Sequence, residues 1–304
     1  MTEKRKPLFK FLSPSYWGEW LLIGGLRFFC VLPWKWQLAL GRPWGFILKR
    51  TMKRRRHIAE KNIALCFPDH DPKRRRALLE NHFRSLGISI FEAGLAWWGD
   101  DKRLAGMIRR DGLENLQKAR SRGKGVILFS AHFTTVELAP RLISFDCPLS
   151  GPYRRLSLPL LDEIMYRGRS RFAARQVDKM NIRQVIKSLR HGENVYFLPD
   201  QSHTGANSID SAFFGVPAAT NTTLPRLLAA TGASCLPCLV LREQDDAGDC
   251  RYRVQYFEPL AEFPEQPQAA ADLLNNIIEA WVRKAPEQYF WIHRRFKNHP
   301  GLYD

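Results

Sequence analysis

Apolar and polar positions change their period several times along this chain. From Tyr16 to Leu32 nearly every residue is apolar, interrupted by Glu19 and Arg27 and stopped at Pro33. Residues 57 to 98 carry helical spacing. Ile58, Asn62, Ile63 and Leu65 make one face before Pro68. Asp71-Pro72 then opens a second helix through Lys73-Arg74-Arg75-Arg76 toward Leu86, with an apolar continuation to Trp97-Trp98. From Gly112 onward helix and strand alternate. A short helix is expected over about 114–119, bounded by Gly112 and Gly123. Val126 to Phe129 is apolar, β-prone and preceded by Gly123 and Gly125, as in a strand covered on both faces. Val136, Leu138, Ala139, Leu142 and Ile143 return to helical spacing. Further strands are expected at 195–198, 235–241 and 252–257, and further helices at 157–168, 181–190, 222–231 and 268–284. The pattern predicts an α/β fold, with a mixed, mostly parallel central sheet and helices on both faces. No internal repeat, P-loop or dinucleotide glycine fingerprint is present.

The join after the first of these strands carries the chemistry. His132 follows Val126–Phe129, and strand ends are where open α/β sheets place ligands. Residues five apart on one helix diverge by about 140°. His132 and Glu137 can therefore meet only if His132 precedes the helix, with Thr134 or Thr135 as N-cap and Glu137 in the first turn. A carboxylate so placed can hold one ring nitrogen and leave the other free to take a proton from an alcohol. The same Thr134-x-x-Glu137 spacing is also a capping box, which needs no chemistry.

Charge narrows the partners. The 304 residues carry a formal charge of +17, with a pI near 9.9. That implies nucleic acid, a membrane surface, or an acidic substrate or carrier. Nine tryptophans and nineteen phenylalanines favour the membrane among these. Lys4, Arg5, Lys6 and Lys10 precede the apolar stretch. Trp34, Trp36 and Trp44 are interleaved with Lys35, Arg42, Lys49 and Arg50 behind it, ahead of Lys53-Arg54-Arg55-Arg56. Such a band suits anionic head groups. The stretch is short against the roughly 20 residues of a spanning helix, and it crosses, lies in the interface, or is a buried helix. We read residues 1–50 as a membrane-anchor helix with a basic-aromatic segment and residues 51–304 as the main domain. More positive charge follows the stretch than precedes it, which puts that domain on the cytoplasmic side. The tri-arginine 74–76 is a solvated face or a membrane-bearing one.

Other candidates are weaker taken singly. Tyr153-Arg154-Arg155 and Gly168-Arg169-Ser170-Arg171 offer guanidinium forks for phosphate or carboxylate, or simply solvated surface. Strand 195–198 ends in Pro199-Asp200, a carboxylate beside His132 if the two strands are neighbours, or an ordinary turn. Phe213-Phe214-Gly215-Val216-Pro217 lines an acyl slot or is a buried loop. Cys30, Cys66, Cys147, Cys235, Cys238 and Cys250 are scattered. Cys235 and Cys238 have metal-like spacing but no second pair nearby, and they read as core thiols.

Several of these segments together are family-like. Pro14-Ser-Tyr-Trp17, Met52-Lys-Arg-Arg55 and Asn62-Ile-Ala-Leu-Cys-Phe-Pro68 open the series. His132-x4-Glu137, Tyr153-Arg154, Gly168-Arg169 and Leu198-Pro-Asp-Gln201 follow, and Pro286 to Lys297 closes it. Over nearly its whole length the chain resembles the lipid A biosynthesis late acyltransferases (the lauroyl/myristoyl acyltransferase family), within the lysophospholipid acyltransferase superfamily. The resemblance implies a glycerolipid acyltransferase-like fold. It implies transfer of an acyl chain from acyl-acyl carrier protein to the 3-hydroxyl of a chain already on a Kdo-modified lipid A precursor. It further implies His132 as general base with Glu137 as partner, and Arg169 and Asp200 in the site. Arg154 is placed with Arg169 as a substrate-binding group. The partners implied are an acidic carrier protein, a phosphorylated glycolipid and the inner membrane, with no nucleic acid, metal or cofactor. Ser202 stands where members often have a second acid, and Gly205-Ala-Asn-Ser208 lacks arginines sometimes found there. Two rivals share the sequence features: a glycerophospholipid or lysophospholipid acyltransferase, and a basic membrane- or nucleic-acid-binding protein with a degenerate site.

Overall fold

The structure, a computed structural model, describes residues 5–178, 181–202, 205, 207–244 and 250–304. Lys4, Ala206 and the side chain of Cys250, singled out above, lie outside the described residues. Nine strands are described: β1 Ile108–Asp111, β2 Val126–Phe129, β3 Leu149–Tyr153, β4 Ala173–Asp178, β5 Asn194–Phe197, β6 Ser208–Phe213, β7 Val216–Asn221, β8 Ser234–Gln244 and β9 Cys250–Tyr256. Seven form one sheet in the order β1-β9-β8-β2-β5-β3-β4, parallel throughout except between β8 and β9. The mixed, mostly parallel sheet expected from the pattern is present.

β2 is legible as an unbroken apolar run because both of its faces are buried. Ile127 and Phe129 enter one core with Phe213 and Trp281, whereas Val126 and Leu128 enter the other with Phe91 and Leu142. All four are fully buried, because helices cover both faces. The strands that the pattern did not reveal have other compositions. Ile108-Arg-Arg-Asp111 and Ala173–Asp178 are the two polar edges, and charged edges blunt further pairing. Leu149–Tyr153 contains Gly151 and Pro152 and pairs with β5 only through Leu149 and Ser150. β6 and β7 are a hairpin whose turn is Phe214 (φ 53°) and Gly215 (φ 74°). Two left-handed residues match the strand twist. The segment offered as an acyl slot is therefore this turn, with Phe213 packed between Tyr289 and Phe296.

The helices are α1 Trp17–Phe29, α2 Trp34–Thr51, α3 Lys53–Cys66, α4 Pro72–Trp98, α5 Asp101–Gly106, α6 Leu113–Ser121, α7 Ala139–Ile143, α8 Pro159–Arg169, α9 Ile182–Arg190, α10 Thr223–Thr231 and α11 Pro267–Lys284. α4 starts where the sequence says: the Asp71 carboxylate accepts from Arg74 N at 2.7 Å, and Pro72 occupies the first turn. Its Lys73, Arg74 and Arg76 are exposed. The apolar stretch from Tyr16 does not form one long helix. It gives the 13-residue α1, about 20 Å of helix against a hydrocarbon core of about 30 Å. Among the described residues no helix is long and apolar enough to cross a membrane. The anchor expectation fails in that form because the chain turns before Pro33 and α2 packs back on α4.

That packing is unusually close. A Cβ on Gly87 would lie 2.1 Å from the Gly41 carbonyl oxygen and 2.3 Å from Gly45 N, both backbone atoms of α2. Neither can rotate away. Gly87→Ala should push α2 off α4 and cost about 1–3 kcal/mol through overpacking. A thermal melt reads this as a fall of several degrees, and an unchanged midpoint would show that the crossing is looser than described.

Candidate active site

β2 and β5 are parallel neighbours in register, with Phe129 opposite Phe197. His132 and Asp200 each lie three residues beyond that pair, so both strands deliver their polar residue at the same end of the sheet. The ladder runs one step further, since Ser130 N donates to Phe197 O at 2.9 Å. Asp200 then takes hold of His132 twice. One carboxylate oxygen accepts from the His132 backbone N–H at 3.0 Å, and the other lies 2.6 Å from ring Nδ1. The carboxylate is 3% exposed and the imidazole 21%. Burial, the largest influence, pushes the Asp200 carboxyl up. The charge and both hydrogen bonds of His132, with the nearby Arg295, outweigh it and hold the group below the ordinary carboxylate range. Among the described residues, ring Nε2 makes no hydrogen bond.

Glu137 is not the partner of that ring. The residues after His132 form a short 3-10 turn over Thr134–Glu137 with Phe133 as N-cap, and no side-chain cap forms. The Thr134 hydroxyl shares a 2.7 Å hydrogen bond with Ser85 on α4, and Thr135 donates to Val240 O at 2.8 Å. Neither the capping box nor the His132–Glu137 hydrogen bond is made. Glu137 instead receives both sides of the Arg169 guanidinium, Nε at 2.9 Å and a terminal nitrogen at 2.5 Å, and the Trp97 indole N–H at 2.6 Å. Arg169 ends α8, and burial disfavours its charge. The Glu137 carboxylate more than offsets that and leaves its pKa above the usual arginine value. The fork is therefore a cation locked in one orientation by a bidentate pair.

Of the five candidates, the structure joins His132 to Asp200 and Glu137 to Arg169. Arg154 stays apart: it is exposed just past β3 and hydrogen-bonds to none of the four. Asp200 touches neither arginine candidate; its hydrogen bonds go to the ring and the backbone N–H of His132. Ser202 is buried, its hydroxyl without a partner among the described residues.

The pattern assigned no role to the C-terminal segment, yet this segment fixes the histidine turn. Phe290 N donates to His132 O at 2.9 Å, and Phe133 bridges to Tyr289. Asn62 on α3 holds the carbonyls of Trp291 and His293, both at 2.7 Å, and Arg55 holds that of Ile292 at 3.1 Å. Burial pushes His293 down to about 4, so that ring is neutral at physiological pH. The motif Pro286 to Lys297 was visible in the sequence; its contact with His132 spans the chain and left no local signal. Trp97 was missed for the same reason. Cys235 and Cys238 are buried on opposite faces of the sheet, each in a different core. Three positions apart on one strand, they point away from each other, which fits core thiols.

A sequence model of the bacterial lipid A biosynthesis acyltransferases matches residues 4–298. The lipid A biosynthesis palmitoleoyltransferase of Escherichia coli (strain K12) is 36% identical over 295 residues, 96% of this chain and 94% of that one. The lauroyltransferase of the same organism is 33% identical over 301 residues, 99% and 98% of the two chains. A lipid A biosynthesis acyltransferase of Haemophilus influenzae is 33% identical over the full length of both. With a family match over nearly the whole chain and relatives above 30% identity, this protein belongs to the bacterial lipid A biosynthesis acyltransferases.

Proposed function

We propose that the protein moves a fatty acyl chain from an acyl-acyl carrier protein thioester to a hydroxyl of an acyl chain on a Kdo-modified lipid A precursor, with His132 as general base and Asp200 as its orienting partner. The observation that carries this reading is the double hold of Asp200 on His132. An alcohol is a poor nucleophile at neutral pH. With Nδ1 bound to the carboxylate, Nε2 is the nitrogen left to take the proton as the alcohol oxygen attacks the thioester carbonyl. A new C–O bond forms, the carbonyl electrons move onto oxygen, and the C–S bond breaks when they return. The departing sulfur takes its proton from the imidazolium, which the ionised Asp200 stabilises meanwhile. Arg169, held by Glu137 and Trp97, is the cation for the oxyanion or for an acceptor phosphate. Glu137 acts through that arginine and not through the ring. No covalent acyl-enzyme is needed.

Attachment to the cytoplasmic face of the inner membrane is part of the same reading, as surface docking rather than a crossing. Phe9, Leu12, Trp17, Leu21, Leu22 and Phe28 are each at least 60% exposed. These side chains lie on or just before α1, followed by the basic residues of α2 and α3. Apolar area combined with surrounding Lys and Arg is what an anionic bilayer surface binds. The acidic carrier protein and the phosphorylated acceptor would meet the same positive field.

Mass spectrometry of the lipid A precursor after incubation with a panel of carrier thioesters tests the reaction. His132→Ala should lower the rate ~10²–10⁴-fold, or roughly 3–5 kcal/mol of barrier. Asp200→Asn should cost a comparable factor, whereas Glu137→Gln should act as Arg169→Gln does. An active His132→Ala enzyme would remove the general base from the scheme. Conversion of a lysophospholipid in place of the lipid A precursor would move the acceptor to the glycerolipid class.

Surface docking has its own check. Leu21→Glu with Leu22→Glu should release the protein from sedimenting anionic vesicles, and wild-type binding should weaken as salt rises. Undiminished sedimentation of the double variant would place the contact elsewhere.

A further inference from the structure

The residues ahead of α1 do more than present apolar side chains. Arg5 reaches across to α8, the helix that ends in Arg169. Its guanidinium bonds the Asp162 carboxylate at 2.9 Å and lies over the Tyr166 ring at 3.5 Å and the Tyr153 ring at 4.7 Å. Asp162 is buried and also accepts from the Tyr153 hydroxyl and from Leu156 N. Among the described residues Arg5 is the only cation paired with that carboxylate. Two more links join the same stretch of chain to α8. Arg167 donates to the Lys6 carbonyl at 3.4 Å, and Glu19 of α1 accepts from Leu161 N at 3.2 Å, satisfying a donor in the first turn. At its far end α8 is closed against Trp97: a Cβ on Gly168 would sit 2.5 Å from the Trp97 Cβ. Between these clamps the helix has one seating, and Arg169 follows from it.

We propose that Arg5 is a positioning residue for Arg169: residues 5–19 form a strap that locks α8 in place, so that the apolar face resting on lipid and the guanidinium at the site move as one body. This rests on the function proposed above, and it adds a physical link between docking and chemistry. Removing Arg5 leaves a buried carboxylate without its cation and frees the first turn of α8 to shift. The Glu137–Arg169 pair then forms less often in the geometry the transition state needs. With Arg169 serving the oxyanion, which develops only as the thioester is attacked, the loss falls on kcat.

The full-length protein tests this with three variants and two readouts. Arg5→Ala should lower kcat about tenfold with KM within twofold, and Arg5→Lys, which keeps the charge, should recover most of it. Lys118→Ala, a basic change on α6 outside both the strap and the apolar face, should leave kcat unchanged. Independently of activity, anionic vesicles should slow amide exchange across residues 159–169 in the wild type, and in Arg5→Ala this protection should be absent although the protein still sediments with the vesicles. An Arg5→Ala enzyme with wild-type kcat and wild-type protection of α8 overturns the proposal. Lost protection accompanied by a global fall in exchange protection would assign Arg5 to stability of the whole fold, which also overturns it. If the wild type transfers no acyl group in any assay, the exchange result still decides the strap.

Discussion

The site depends on one carboxylate held between two parts of one residue. Asp200 binds the backbone N–H and the ring of His132 together, which fixes the imidazole in position, rotation and tautomer. A buried acid is costly unless its lone pairs are filled, and His132 supplies both donors. Everything around the pair serves to keep these strand ends side by side. β2 and β5 are paired over four residues, and the C-terminal segment closes on the His132 carbonyl from the other side. α3 in turn holds that segment through Asn62 and Arg55.

A second charged pair lies on the neighbouring turn and has a different task. Glu137 would be an alternative acceptor for the imidazole, but its lone pairs are taken by Arg169 and Trp97. Two carboxylates are thereby sorted into two roles by their neighbours rather than by their own chemistry. One holds an imidazole; the other holds a guanidinium. The sorting is geometric: a 3-10 turn whose threonines are tied to α4 and β8 sends Glu137 toward α8, away from the ring.

The long helix α4 unites these parts. Its middle crosses α2 so closely that Gly41, Gly45 and Gly87 leave no room for a Cβ. Ser85 meets the histidine turn, and Trp97 near the end of α4 meets both Glu137 and α8. The N-terminal helices therefore lean on the same element that shapes the site. Buried Glu92 pairs with Arg242 of β8 at 2.7 Å and with Tyr252 of β9 at 2.8 Å, tying α4 to the sheet as well. The N-terminal helices and both charged pairs thus share one support in α4.

Where apolar residues recur with a clean period, local sequence was enough. β2, β5 and β8 are buried on both faces, and α4, α8 and α11 carry helical stripes, so each declared itself. The motif residues His132, Glu137, Arg169 and Asp200 could also be named before any coordinates. Edge strands such as β1 and β4 escaped because solvent-facing edges carry no apolar pattern, and the β6–β7 hairpin escaped because its turn, Phe214-Gly215, looks apolar. What the linear chain could not decide was pairing. Spacing along one segment favoured Glu137 for His132, since five residues separate them, whereas Asp200 lies 68 residues away. Strand order sets that choice: only when β5 lies beside β2 does the distant carboxylate become the nearer one. The sequence determined which chemical groups are present and where strands end; the sheet's topology decided which of them touch, because hydrogen-bonded neighbours are a property of three dimensions and leave no trace in local spacing.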